Sequence, residues 1–509
     1  MSSNQLKSGA LLSYVLIGLS NLVGILYTPY LLSSLGQSEY GLYSLVASVI
    51  AYLTILDFGF GNAIVRYTSK FRAEGETGKQ YSMFGMFLIM YIIIGVITFF
   101  IGLLLYSNVD YFFGASLTNE ELGKAKIMII IMIINLAFTF PLSIFGSIII
   151  AYENFIFQKV IQILRILLNT IVMIVLLFYG YKAITLVLVL TFFNLLTLLI
   201  NVWYCFYKIR IKIFFKNFEW MFLKEIGIYS FYIFLTILMD RIYWSSGQFI
   251  LGVYIGTAAV AVFAIAIQLQ AMYMSLSIAI SGVFLPRVTA MVTKKSSDAS
   301  ISNLFIKIGR LQFIVMAFIL SGFILFGKQF ISLWAGEGYE EVYFICLLFF
   351  IPLTVPLIQN LGITILEARN QIKFRSILFA IIAITSLCFQ IPLAKYYGPI
   401  GCAIGIACSL TLGQIIIMNI YYYKIQKINI IMFWKEIGKM SILPLIILFI
   451  SYCFLIDFSI DTLSSLILCI SVFSIIYIPI FWIFSMNDSE RTLIKTPLKN
   501  FLNSYNTND

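Results

Sequence analysis

Long apolar runs separated by short polar connections make up almost the whole chain. About 20 consecutive apolar residues are needed for a helix to span the hydrocarbon core of a bilayer. Fourteen segments meet this length, at 9–35, 41–63, 82–106, 126–150, 155–179, 183–207, 227–252, 257–285, 309–334, 342–366, 374–394, 399–423, 437–456 and 462–485. The pattern predicts an all-α, polytopic membrane protein of about 14 transmembrane helices, with no soluble domain on either side.

Composition agrees with this pattern. The 509 residues are 61% hydrophobic and 11% charged, and the mean hydropathy is +1.01, whereas a soluble domain has about 25% charged residues. The first apolar run is too long for the apolar core of a signal peptide and lacks a small-residue cleavage site. We therefore interpret it as the first span.

The distribution of Lys and Arg predicts the orientation. If the N-terminus is cytoplasmic, 26 of the 33 basic residues fall in inner segments and five in outer ones, while Arg165 and Arg241 lie inside spans. Because cytoplasmic connections carry the excess of basic residues, both termini are expected in the cytoplasm. The net charge of +11 then needs no nucleic-acid partner.

The spans divide into two halves around an unusual connection. In residues 208–225, basic residues alternate with aromatic and aliphatic ones, as in a helix that lies on the inner leaflet. The predicted organisation is an N-terminal lobe of spans 1–6 (1–207), a cytoplasmic interfacial linker (208–226), a C-terminal lobe of spans 7–12 (227–424), and two extra spans with a cytoplasmic tail (425–509).

A weak internal repeat supports this division. With an offset of 220 residues, segment 35–44 lies on 255–264, and with 221 residues Gly61, Arg66 and Thr68 lie on Gly282, Arg287 and Thr289. Spans one and two would then correspond to spans seven and eight, as in transporters built from parallel repeats. Chance similarity between apolar helices is the alternative.

Several chemistries are excluded or disfavoured. The chain contains no histidine, which removes histidine-based metal sites, general bases and proton relays. Its seven cysteines form no CxxC pair, and no phosphate-binding loop of the GxxxxGK[ST] type occurs. We therefore expect no metal, no cofactor, no catalytic residue and no enzymatic activity.

Arg241 is the most informative residue of the chain. It lies about 22 Å along a helix from the inner end of its span, near the middle of the membrane. A charge there normally faces a cavity or a partner. One interpretation is a cavity wall, formed with its neighbour Asp240 and its repeat counterpart Asn21, that binds an anionic group. The other is an ion pair between helices.

Arg165 lies about 15 Å inside its span. Gln162 and Asn169 share its helix face, and a polar face of this kind points into a bundle. A cavity position is one interpretation, and a side chain that reaches back to the inner surface is the other.

Other polar residues within spans are singly expected to join helices and together suggest a hydrated interior: Asn135, Asn194, Gln248, Gln268, Gln270, Gln359, Asn360, Gln390 and Gln414.

Asp57 ends the second span, close to a cluster of glycines and to Arg66. These charges could simply mark a helix end at the headgroups. They could also form a gate or a coupling-ion site, together with Arg287, the repeat counterpart of Arg66.

Several segments resemble the polysaccharide (O-antigen type) flippases of the multidrug/oligosaccharidyl-lipid/polysaccharide exporter superfamily. They are LKSGALLSYVLIGLSNLVGILYTPYLLSSLGQSEYGLYSL, DFGFGNAIVRY, DRIYW, LGVYIG and FLPRVTAM. The resemblance covers the whole length. It implies two pseudo-symmetric six-helix lobes around a central cationic cavity, plus two C-terminal helices. Arg165 and Arg241 are the residues that fit such a cavity.

The resemblance also implies a function. The cargo would be an undecaprenyl-pyrophosphate-linked oligosaccharide, flipped across the bacterial inner membrane for surface polysaccharides such as the O-antigen of lipopolysaccharide or capsule. Membrane lipid, polysaccharide polymerase and glycosyltransferases would be its partners. A multidrug cation exporter of the same superfamily and a polymerase-type membrane enzyme are the alternatives.

Overall fold

The protein is built from helices. The computed structural model describes residues 3–216, 220–281, 284–294, 296–369, 371–455, 460–492 and 495, and within these ranges no strand occurs. The predicted all-α class is confirmed. The α-helices are α1 (Ser3–Leu35), α2 (Gln37–Leu53), α3 (Phe60–Glu74), α4 (Thr77–Ser107), α5 (Val109–Phe113), α6 (Asn119–Ala151), α7 (Phe155–Phe178), α8 (Ala183–Tyr204), α9 (Trp220–Tyr254), α10 (Thr257–Ser281), α11 (Leu285–Thr293), α12 (Asp298–Ala335), α13 (Glu341–Ile358), α14 (Leu361–Ala368), α15 (Ile372–Leu410), α16 (Met418–Lys424), α17 (Ile430–Leu455) and α18 (Leu463–Phe484).

Twelve helical segments of the described residues are long and apolar enough to cross a membrane. One of them, Lys373–Lys424, has 52 residues and contains two predicted spans. Gly398, with φ 57° and ψ −137°, interrupts the helix between them. The seventh predicted span coincides with α9, which is not among these twelve segments. Its polar residues Asp240, Arg241 and Gln248 lower its hydropathy. The chain is thus a multi-pass membrane protein, and about 14 spans remain the right description.

The second predicted span, 41–63, is not one continuous helix. After α2 the chain forms a 3-10 turn (Thr54–Asp57) and passes through left-handed conformations at Phe58 (φ 52°) and Gly59 (φ 71°) before α3 begins. A non-glycine residue rarely adopts a positive φ. Phe58 is held there with its ring stacked on that of Phe234, with centroids 4.9 Å apart. Hydropathy could not reveal this break, because the residues on both sides of it are apolar.

The connection before α9 also differs from expectation. The prediction of an interfacial helix over 208–225 is wrong for its first part, because residues 211–216 have no regular structure. The Phe214 N–H donates to the Tyr81 carbonyl at 3.1 Å, so this segment binds to α4 instead of lying apart as a helix. Gly85 permits the contact, since a Cβ there would lie 2.1 Å from the Phe214 carbonyl oxygen. The three residues before α9 lie outside the described residues.

The described helices group into two compact units. The first comprises Met1–Ile267 and Lys373–Ser409. Within it, α4 and α6 approach closely at a glycine, because a Cβ on Gly95 would lie 2.6 Å from the Ala137 carbonyl oxygen. α7 packs on α1, and the Tyr30 hydroxyl donates to the Ile174 carbonyl at 3.3 Å. Both membrane-depth arginines belong to this unit.

The second unit comprises Gln268–Ile372 and Leu410–Asp509. Its α12 packs against α13, α17 and α18. In the N-terminal half of α12, the buried Arg310 guanidinium donates to Glu490 through Nε at 2.5 Å and to Glu436 through Nη1 at 2.8 Å. The division into lobes at 1–207, 208–226, 227–424 and 425–509 stays a prediction.

Candidate functional site

Two charged residues form an exposed patch on α9. Between Phe234 and Val253 every residue is buried or half-buried except Asp240 and Arg241, which are exposed. In the described part of the chain, Arg241 makes no side-chain hydrogen bond and no ion pair within 4 Å. We call these two residues the α9 patch. A guanidinium with five unused N–H donors at this position can bind an anion bidentately.

Asp240 is under the influence of a second arginine that the sequence did not single out. The charges of Arg241 and Arg375 both act on the Asp240 carboxylate. Arg375 lies in the first turn of α15, with its guanidinium carbon 5.7 Å from the ring centroid of Phe379. From sequence it counted only as one of the basic residues of an inner connection. Its relation to Asp240 depends on the fold, and no local motif could have revealed it.

Helix packing holds α9 and α15 together beside the patch. The buried Tyr243 hydroxyl donates to the Ile406 carbonyl at 2.8 Å, and the rings of Tyr243 and Phe379 lie 6.2 Å apart. Farther along α9, the Ser246 hydroxyl donates to Gln390 at 3.2 Å. These contacts fix the helix that carries Asp240 and Arg241.

Arg165 is exposed on α7 and donates through Nη1 to the Oδ1 atom of Asn194 on α8, at 3.1 Å. The Asn194 amide in turn donates to Asn135 Oδ1 at 2.9 Å and to Thr139 Oγ1 at 2.8 Å, both on α6. Asn194 lies near the middle of its 22-residue helix. The guanidinium therefore bonds to a group at membrane depth and not to one at the inner surface.

The face of α7 around Arg165 is polar, as the spacing predicts. Gln162 and Asn169 are half-buried on that face. The Asn169 Oδ1 atom is buried without a hydrogen-bond partner. The neighbouring face of the same helix exposes Leu164 and Leu168. Arg165 thus lies at the boundary between a polar and an apolar face.

Asp57 occupies the helix break described above. It is half-buried and accepts a hydrogen bond from the Tyr91 hydroxyl at 2.8 Å. Tyr91 is buried on α4, and its ring stacks on that of Phe140, with centroids 6.4 Å apart. This bond gives the half-buried carboxyl group of Asp57 a hydrogen-bond partner on α4. The sequence did not indicate Tyr91, which lies 34 residues away.

The remaining predicted residues lie on three other helices. Asn21 is half-buried in α1, Arg66 is exposed on α3 and Arg287 is exposed on α11. The guanidinium carbon of Arg66 is 5.7 Å from the Tyr67 ring centroid. Gly282, the repeat counterpart of Gly61, lies outside the described residues. Roles for these three residues stay predictions.

The described residues contain no group of three or more cysteine or acidic side chains that could bind a metal ion. The α9 patch and the surroundings of Arg165 offer two exposed guanidinium groups, one exposed carboxylate and a set of amides.

The sequence matches one known family. Residues 6–292 match a family model described as polysaccharide biosynthesis protein. No match was found among curated proteins.

Solved structures of transporters share the fold. The lipid II flippase MurJ in an inward closed conformation superposes with a TM-score of 0.69 at 18% identity, covering 93% of this chain and 98% of that one. An inward-facing multidrug resistance MATE family transporter of the MOP superfamily gives 0.63 at 15% identity, covering 79% and 92%. A MOP superfamily transporter from Pyrococcus furiosus, described as having a binding pocket of reverse polarity, gives 0.58 at 15% identity, covering 82% and 95%.

Proposed function

Because the chain belongs to the polysaccharide biosynthesis protein family, we propose that it flips lipid-linked oligosaccharides. The cargo is an undecaprenyl-pyrophosphate-linked unit, moved from the inner to the outer leaflet by alternating access through a central cationic cavity. The protein works in the bacterial inner membrane with both termini in the cytoplasm. Glycosyltransferases supply its cargo and a polysaccharide polymerase uses it.

The α9 patch is the observation that carries this proposal. An arginine that faces lipid at membrane depth costs at least about 2.5 kcal/mol on insertion scales. Helix faces that meet lipid are apolar, as on α4, where Ile92, Ile93 and Val96 are exposed. The exposed residues of α9 from Phe234 to Val253 are instead two charged ones. A water-filled cavity is the environment that accommodates such a surface.

The charge of the cavity favours a pyrophosphate. Arg241 and Arg375 act together on a single carboxylate, Asp240, so this group of three is net positive. Arg165 adds a further exposed guanidinium without an acidic partner among the described residues. Pyrophosphate carries more than one negative charge and matches the fork geometry of arginine.

A multidrug cation exporter is the second candidate, since Asp240 is an exposed carboxylate and a MATE transporter shares the fold. The two arginines near Asp240 argue against it, because they repel an organic cation. The two functions make opposite predictions for a binding experiment.

Binding to the purified full-length protein tests the proposal. We expect undecaprenyl pyrophosphate to bind more tightly than undecaprenyl monophosphate, and ethidium not to compete. Arg241→Gln should weaken pyrophosphate binding by about tenfold or more, as expected when a charge-assisted bond is lost. The matched control is Lys212→Gln, an exposed basic residue of the connection before α9. Ethidium binding that Asp240→Asn abolishes would instead establish the exporter.

A further inference from the structure

Three helices of the first unit meet in a polar network at membrane depth. Asn194 of α8 is its centre, because it contacts Asn135 and Thr139 on α6 and Arg165 on α7. Each of these contacts is at or below 3.1 Å. The network therefore joins the Arg165 guanidinium to uncharged side chains on α6 and α8.

The network fixes which way the Asn194 amide points. The Thr139 hydroxyl donates its proton to the Asn135 backbone carbonyl at 2.7 Å, so its oxygen is left to accept. Asn135 Oδ1 is also an acceptor. The Asn194 NH₂ must therefore face α6, which turns its carbonyl oxygen toward Arg165. In the opposite orientation, the Asn194 NH₂ group would face the N–H donors of the guanidinium. Its carbonyl oxygen would then face the two acceptors on α6.

The partner that results is neutral. An amide oxygen holds the guanidinium in place and leaves its positive charge uncompensated. A carboxylate in the same position would cancel that charge. Arg165 uses one of its N–H donors in this bond, and its Nε and Nη2 groups bond to no other described residue. Four N–H donors thus remain for a phosphate oxygen.

We propose that Asn194 is a positioning residue, which holds the Arg165 guanidinium at membrane depth with its charge intact for the pyrophosphate headgroup. This inference rests on the proposed function. Without Asn194, the long arginine side chain is free to reach toward the inner surface. The bond therefore decides at what depth the cargo meets this charge.

The test uses undecaprenyl pyrophosphate binding to the purified full-length protein. Asn194→Leu should weaken binding by about tenfold, the effect of losing one hydrogen bond to a charged group. Asn194→Asp keeps the size of the side chain and places a carboxylate beside Arg165, so it should weaken binding at least as much as Arg165→Gln. Thr139→Val, which removes one of the two acceptors that orient the amide, should have a smaller effect. Asn201→Leu is the matched control, a buried asparagine two turns farther along α8.

The Arg165→Gln background separates a positioning role from a structural one. There, Asn194→Leu should cause no further loss, because its effect acts through Arg165. An equal loss in both backgrounds would overturn the positioning role. Wild-type binding by the Asn194 variants, with Arg165→Gln weakened, would also overturn it and leave the proposed function intact. Wild-type binding by Arg165→Gln would refute the role of Arg165 in the proposed function, and the present inference with it.

Discussion

Arg241 differs from other arginines of the chain in how its charge is balanced. Arg310 binds two carboxylates, and Arg369 donates to Asp298 at 2.8 Å. Among the described residues Arg241 forms no ion pair, and its helix neighbour Asp240 points about 100° away from it. A guanidinium in this situation contributes little to helix packing. Its presence at membrane depth is therefore better explained by a ligand than by stability.

Replacing Arg241 should separate charge from geometry. Arg241→Ala should reduce surface polysaccharide export by about tenfold or more, because a charge that meets the pyrophosphate is lost. Arg241→Lys should retain part of the export, since it keeps the charge and loses the fork. Export is measured in cells whose only copy of the gene is the variant, at matched protein level. Wild-type export by the Ala variant would contradict a role in cargo binding, and loss of folded protein would instead show that Arg241 stabilises the fold.

Asp57 can be tested through its bond to Tyr91. Asp57→Asn keeps an oxygen that accepts from the tyrosine, so the fold should be retained while the negative charge is removed. If Asp57 belongs to a gate or a coupling site, export should fall although the Tm in detergent is unchanged. Tyr91→Phe should lower stability by about 1 kcal/mol, the usual contribution of one hydrogen bond. Normal export by Asp57→Asn would leave this residue as a helix end only.

At the scale of elements, a buried ionic cluster anchors the chain after α18. The Glu490 carboxylate, which is fully buried, accepts from Arg310 of α12 and from the Asn487 N–H at 2.9 Å. Arg310 also binds Glu436 of α17. α12, α17 and the segment after α18 are therefore held together by one guanidinium.

Breaking this cluster should be costly. Glu490→Gln leaves part of the buried Arg310 charge uncompensated, so we expect the free energy of unfolding to fall by about 3 kcal/mol, the low end for a buried pair. Lys439→Gln is the control, because its bond to Glu436 is exposed and such pairs contribute about 0–1 kcal/mol. Thermal unfolding of both variants in detergent measures the difference. Equal Tm values would show that the cluster does not stabilise the unit.

The sequence predicted the helices well and their irregularities poorly. Apolar runs of membrane length leave only the helix to satisfy the backbone, so the spans could be read from hydropathy. The break at Phe58 depends on stacking against Phe234, and the extended segment at Phe214 depends on Gly85. Both result from contacts between distant residues, which a periodic pattern does not contain.

The candidate site was predictable to a similar extent. A charge inside an apolar run is visible without a structure, and this was enough to single out Arg165, Arg241 and Asp240. Their partners were not. Asn194 was one of nine intramembrane polar residues, and Arg375 was one of many basic residues near the inner surface. Only the fold shows that Asn194 bonds to Arg165 and that the charge of Arg375 acts on Asp240.

At the scale of the whole molecule, contacts between connections agree with the predicted alternation of spans. On the predicted outer side of the first unit, Glu121 accepts from Ser38 at 2.6 Å and from Thr257 at 2.7 Å. These three residues follow the third, first and seventh predicted spans. An odd number of spans precedes each, so all three are expected on the same side.

The same holds for the predicted inner side of the second unit. Arg310, Glu436 and Glu490 follow the eighth, twelfth and fourteenth predicted spans, and they form one cluster. One missed or extra span within either unit would place some of these partners on opposite sides of the membrane. The contacts therefore support the order of the spans. They do not depend on which side is the cytoplasm, which the Lys and Arg distribution alone predicts.

Single cysteines can determine this orientation. The described cysteines are all unpaired, so a cysteine-free background breaks no disulfide among them. Ala115 and Ala299 are both exposed and allow the same substitution on the two predicted sides. Ala115→Cys should react with a membrane-impermeant thiol reagent in intact spheroplasts, because an odd number of spans precedes it. Ala299→Cys should react only after permeabilisation. The reverse pattern would invert the topology, and Arg310 with its carboxylates would then lie on the outer surface, against the 26 to 5 distribution of basic residues.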